Sequence, residues 1–201
     1  MKRMRNRKLE LLELALALGL GTAILFGMVL HHQQRELADQ MVRLHVVGAD
    51  NTPEAQELKL LVRDEILRTV GGLGAQDAQE AEERLREMIP QLQETAEKTL
   101  RSHGCGDSVQ VTLEEERFPT REYETFALPA GNYRALRVKL GDAQGKNWWC
   151  VLFPPLCLGA ASELEESGLS QDQVNLITLE EGYEVRFRCM EWVENLLSFF
   201  R

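Results

Sequence analysis

The chain has 201 residues, which bounds it to one domain with appendages. A hydrophobic share of 44% and a charged share of 27% can support a core, so global disorder is excluded. A net charge of -9 argues against nucleic acid as a partner, since phosphate binding needs a basic surface.

The charge is unevenly spread. Residues 1–13 hold five basic side chains (Lys2, Arg3, Arg5, Arg7, Lys8) against Glu10 and Glu13. The remaining 18 basic and 30 acidic residues leave the rest of the chain at -12. From Leu14 to Leu30 there are 17 residues without a charge. As a helix this run rises about 26 Å, slightly under the hydrocarbon thickness of a bilayer. The basic flank predicts a cytoplasmic N-terminus and a body on the far side of the membrane. A cleavable signal peptide is the alternative. An uncleaved anchor is preferred because no small-x-small cleavage site follows the run, and either way the body is exported.

His31 to Gln40 is polar and reads as a tether. M-V-R-L-H-V-V-G, Met41–Gly48, puts Val42, Leu44 and Val46 on one face of a half-buried strand and turns His45 outward. Thr52-Pro53-Glu54 combines a capping hydroxyl, a proline at the first helical position and an acid, so a helix starts there. Its apolar stripe is Leu58, Leu61, Val62, Ile66 and Val70, and Gly71-Gly72 stops it. Asp77 with Glu80 resembles a capping box and opens a longer helix ending at His103-Gly104. Pro90 predicts a kink or break inside it.

Strand patterning follows at Val109–Leu113, Leu136–Leu140 and Asn147–Phe153. The last is nearly all apolar, as in a central or covered strand. Gly141–Lys146 reads as the loop of a hairpin joining these last two. Gly159–Gly182 holds six acids and no lysine or arginine, the composition of a solvated insert, with room for one helical turn. A strand at Tyr183–Cys189 and a short apolar helix at Glu191–Phe200 complete the pattern.

Strands and helices fall in separate blocks, so the class is α+β. The expected architecture is an N-terminal membrane-anchor or signal helix, then one globular domain whose mostly antiparallel sheet is packed by two or more helices. The divisions are 1–30 for the basic head and apolar helix, 31–40 for the tether, and 41–201 for the exported domain with a variable acidic insert at 159–182.

All four cysteines, Cys105, Cys150, Cys157 and Cys189, lie in the exported body, where disulfides persist. Cys150 and Cys157 bracket Pro154-Pro155, which can fold the chain back so that the two bridge. Two buried, unpaired thiols are the alternative, and a Cys105–Cys189 pair has no independent support. No metal is expected, because zinc sites show closer cysteine pairs and the body's His45 and His103 stand alone. No cofactor is expected either, since no glycine loop cradles a phosphate. A nucleophilic Cys150 paired with His45 or His103 is disfavoured by its mid-strand position, where burial raises a thiol pKa. Trp148 and Trp149 point to opposite faces of one strand, so one fills the core and the other is covered or is a partner anchor.

R-L-H-V-V at Arg43–Val47, L-K-L-L-V-R-D-E-I-L at Leu58–Leu67, F-P-T-R-E-Y at Phe118–Tyr123, L-P-A-G-N-Y-R-A-L-R-V at Leu128–Val138 and N-W-W-C-V-L-F-P-P-L-C at Asn147–Cys157 together resemble the stage II sporulation protein R family of endospore-forming bacteria. The resemblance runs from about Met41 to Cys157 and resumes at Val185–Leu197. It departs at Gly48-Ala49-Asp50-Asn51, where the family tends to carry an Asn-Ser-Asp turn. Cys105 and Cys189 look like local additions.

The resemblance implies a signalling protein without catalysis, exported from the forespore into the intermembrane space. There it would activate a membrane-embedded aspartic protease of the mother cell that processes the sigma-E precursor. It implies no small-molecule substrate and no nucleic acid, with the membrane engaged through residues 14–30. For the partner face the candidates are Arg43 and His45 on the first strand, Arg63 and Asp64 on the first helix of the body, and Asn147, Trp148 and Trp149. Their bland alternative is structural: Arg63 and Asp64 pair with groups on the strands and only hold the helix in place. An exported thiol enzyme centred on Cys150, or a septum or envelope adhesion protein, are the competing functions.

Overall fold

The computed structural model describes residues 2–123, 126–156 and 169–178. It confirms an apolar N-terminal helix followed by an α+β domain. Helix α1 spans Lys2–Asp39. Its large apolar side chains from Leu11 to Val29 are exposed. Thr22 returns its hydroxyl to the carbonyls of Leu18 and Gly19, so no polar group is left unpaired in the apolar run.

The segment expected as a tether is instead the last part of α1. Leu30, Gln34, Leu37 and Ala38 are buried. They lie four, seven and eight positions apart from Leu30, which is one stripe of a helix. Two apolar residues among polar ones suffice to dock it.

Strand β1 is Val42–Val47, and all six of its residues are buried. The half-buried expectation is thereby corrected: Met41 and Val47 share the parity of Arg43 and His45, so that face too is bounded by apolar residues. Helix α2, Pro53–Val70, starts as expected, with the Thr52 hydroxyl accepting from the Ala55 N–H. Helix α3, Ala78–Ser102, is capped by Asp77, which accepts from the Glu80 N–H. Glu80 reaches back to the N–H of Gln76. Pro90 is exposed within α3 and does not divide it, because Leu85 and Leu92, fully buried on either side, hold both halves to the same core.

Strands β2 (Val109–Phe118), β3 (Arg121–Glu122), β4 (Ala127–Leu128), β5 (Gly131–Leu140) and β6 (Asn147–Phe153) follow. The main sheet has the order β2-β5-β1-β6, and β3 pairs with β4 separately. β2–β5 and β1–β6 are antiparallel, whereas β1–β5 is parallel. β5 and β6 therefore do not form the expected hairpin. β1 lies between them, as suits a strand buried on both faces. The Gly141–Lys146 loop crosses the end of β1 and bonds to the segment after it, with Gly145 N to Gly48 O at 2.9 Å and Gln144 N to Ala49 O at 3.0 Å. A Cβ on Gly145 would collide with the backbone carbonyl of Asp50, so glycine is required there.

The sheet separates two cores. On one side Val42, Leu44, Val46, Leu136, Val138 and Cys150 pack against α2 and α3. On the other, Met41, Phe118, Tyr133, Ala135 and Val151 pack against Leu30 and Leu37 of α1, the β3–β4 segment, and Ile177. Ile177 ends helix α4, Gln171–Ile177, which carries a full capping box from Ser170 and Gln173. This is the turn expected in the acidic insert. The strand expected at 183–189 and the helix at 191–200 lie outside the described residues.

Candidate functional site

Alternation along β1 sends Arg43 and His45 to the side of the sheet opposite α2 and α3. Arg43 is fully buried. Its guanidinium lies 4.1 Å from the Phe118 ring centroid and 4.9 Å from that of Tyr133. Nη2 donates to the Tyr123 hydroxyl at 2.5 Å, and Nε donates to the Cys150 carbonyl at 3.4 Å. The Tyr123 hydroxyl in turn donates to the Trp149 carbonyl at 3.5 Å. Among the described residues Nη1 has no hydrogen-bond partner. Burial lowers the guanidinium pKa, opposed by the two tyrosines, and burial raises the Tyr123 phenol.

His45 is also buried, at 3% exposure, so the outward expectation is corrected. Its ring stacks on Trp149 at 3.7 Å between centroids. Nδ1 faces both Glu116 carboxylate oxygens at 2.9 Å, and Nε2 faces the Asn147 Oδ1 at 2.9 Å. Both facing oxygens are acceptors, so a ring nitrogen that carries hydrogen donates to its neighbour. Arg137 reaches the same Glu116 at 3.4 Å. Asn147, at the strand start, is exposed.

Arg63, Asp64 and Trp148 gather on the other side of the sheet. Arg63 pairs with Asp64 at 2.6 Å and lays its guanidinium 4.2 Å from the Trp148 ring centroid. The structure thus divides the seven expected contact residues into two groups. Arg43, His45, Asn147 and Trp149 form a largely internal network, while Arg63, Asp64 and Trp148 form a surface one. Arg43 and His45, being buried, do not offer a direct partner face. Cys150 points with Leu44 into the helix-side core, opposite His45, so the two are not brought together as a thiol–imidazole pair. Cys157 lies outside the described residues, and Cys105 is a free thiol. Among the described residues no cluster of three or more His, Cys, Asp or Glu could hold a metal.

Glu116, Phe118, Tyr123, Tyr133 and Arg137 belong to the internal network but were not anticipated. The signal was present in β2, where Glu114, Glu116 and Phe118 share one parity. A run of three glutamates masks it, since such runs ordinarily face solvent.

The family model for stage II sporulation protein R matches residues 38–163. The chain belongs to this family. A relative named stage II sporulation protein R from Bacillus subtilis (strain 168) is 30% identical over 187 residues, covering 81% of this chain and 84% of the relative. No solved structure matches. The family segment begins at Ala38, in the last turn of α1, and takes in every element from β1 to β6. Both groups of contact residues therefore fall inside it. Membership supports a role in sporulation, and the apolar part of α1 is compatible with a membrane anchor or signal sequence.

Proposed function

We propose that this chain is made in the forespore and exported across its membrane to activate the mother-cell membrane aspartic protease that processes the sigma-E precursor. Family membership is the observation that carries the sporulation role. The long apolar helix, running straight into the domain, supports placement at the membrane. The domain acts by contact in this reading, with no chemistry of its own. An exported thiol enzyme has less support, because Cys150 is buried in the core on the face of the sheet away from His45. A bridge between Cys150 and Cys157 belongs to the proposal as a clamp on the end of β6, and peptide mapping of the unreduced protein tests it.

The functional test is reconstitution in a non-sporulating host. The full chain is co-expressed with the membrane protease and the sigma-E precursor, and the precursor's length is followed by blotting. Shortening that requires the exported chain supports the activator reading. An unchanged precursor with all three proteins in place rejects it. Retained shortening by Cys150→Ser would exclude a thiol mechanism.

A further inference from the structure

A cavity of about 200 Å³ joins the end of α1 to the sheet, lined by Gln34, Arg35 and Asp39 of α1, Glu115 of β2 and Arg134 of β5. His31 and Asn132 add polar atoms to its wall without a fixed charge. Sites for drug-sized ligands hold roughly 300–1,000 Å³, so this one suits a small polar group. Gln34 is only 2% exposed. Its amide is pinned over Gly131, where a Cβ would collide with it. Among the described residues its Nε2 has no acceptor, so the wall offers a buried donor to whatever enters.

Arg35 and Glu115 are exposed at the mouth, and among the described residues neither carries an ion pair. Arg134 is already answered, by the Asp39 carbonyl at 3.3 Å and by Glu82 of α3 at 3.2 Å. Two cations and two anions therefore line the cavity, and it is neutral. The surroundings do not alter this. Arg117, two positions along β2, is offset by Glu82, and Glu36 pairs with His32 at 3.2 Å. What is left for a ligand is one cation, one anion and one neutral donor. A zwitterion answers all three, whereas a purely anionic group leaves Glu115 opposed.

The cavity also has a defined depth. The charge-free run ends at Leu30, and a rise of about 1.5 Å per residue puts Gln34 and Arg35 about 6–8 Å beyond it. The headgroup layer of a bilayer reaches about 5–8 Å past the hydrocarbon on each side. Asp39 stands about 6 Å farther out, and Glu115, opposite Arg134 in the β2–β5 pairing, lies at that outer level. Donors inside and carboxylates outside match a phospholipid whose ammonium lies outward of its phosphate. A primary ammonium donates to carboxylates, which a quaternary one cannot do. Choline groups are instead held by aromatic cages, and among the described residues no Phe, Tyr or Trp lines this cavity.

We infer that the cavity binds the headgroup of one ethanolamine phospholipid, with the phosphate on Gln34 Nε2 and Arg35 and the ammonium on Glu115 and Asp39. The inference rests on the reading that places α1 across the membrane, and it gives that membrane a second hold on the domain.

The test uses the full chain in nanodiscs of phosphatidylcholine with a rising fraction of phosphatidylethanolamine or, separately, phosphatidylglycerol. Native mass spectrometry reads the lipid retained by each released chain. The expected result is one ethanolamine lipid per chain, retained in preference to the other two. Arg35→Gln and Glu115→Gln, both at exposed positions without an ion pair, should each raise the ethanolamine fraction for half occupancy about tenfold. His32→Gln, at the same depth on α1 but outside the cavity, should leave it unchanged.

A chain that does not enter the nanodisc overturns the membrane placement and this inference with it. Insertion with equal retention of the three lipids overturns the inference alone, as do Arg35 and Glu115 variants that match the wild type. Free phosphoethanolamine, added to choline-only nanodiscs, separates the two sources of the headgroup. Binding as tight as that of the lipid would show a soluble-ligand site and overturn the lipid assignment.

Discussion

Arg43 is a buried cation whose neighbours are aromatic rings, a phenol and a carbonyl, and the described residues give it no carboxylate. Such a group costs desolvation that its partners only partly return. Arg43→Met, similar in length and uncharged, should leave stability within about 1 kcal/mol of the parent or raise it. Arg43→Lys should lower it by about 1–3 kcal/mol, because a point charge loses the planar stacking and keeps the desolvation. Urea denaturation of both variants checks the pair, and a stable lysine variant would contradict the account. The arginine could be read in R-L-H-V-V, but its burial could not. Deciding that required Phe118 and Tyr133, which lie 75 and 90 positions away in sequence and meet only through sheet pairing.

At the scale of elements, both helix starts were legible because capping is local: Thr52, Pro53 and Asp77 specify them within four residues. The strand order was not, since alternation shows that a strand exists but not which strand lies beside it. A loop of six residues between two strands looks like a hairpin until a third strand is placed between them. Two expectations follow. Gly145→Ala, with its Cβ driven into the Asp50 carbonyl, should cost about 1–3 kcal/mol and loosen the crossover, which urea denaturation would register.

The second expectation concerns acid. The Asp50 carboxyl is held below its usual range by the Thr52 hydroxyl and then the Thr52 N–H. Glu80 is lowered chiefly by the N–H of Gln76, then by Arg84. A carboxylate lowered by folding contributes stability that is fully present above its unfolded pKa and is lost as the pH falls through the folded one. The two helix starts should therefore loosen only below the ordinary carboxylate range. Carboxyl NMR titration checks the direction, and ordinary or raised values at either residue would refute it.

Across the whole molecule, the long-range unit is α1 with the domain. Leu30 and Leu37 contribute to the second core. A chain beginning at residue 27 should keep the melting temperature of the full-length protein. One beginning at residue 32 should melt lower, having lost the burial of Leu30, worth about 1.5–3 kcal/mol. Thermal denaturation in the same detergent compares them, and equal values would show that α1 only carries the domain. The composition of the apolar run told where a membrane could be crossed. It did not tell that the helix continues into the fold, because the polar decapeptide after it hides its two core residues among eight that are not.

That continuity also constrains where a peptidase can act without damage. A cut on the N-terminal side of Gly27 leaves the second core intact, whereas one beyond Leu30 removes part of its wall. With the helix uncut, the apolar run continues as one helix to Asp39 and leaves no swivel before the sheet. The same side of β6 then keeps a fixed relation to the axis of α1, because Leu30 and Leu37 hold that helix against the second core.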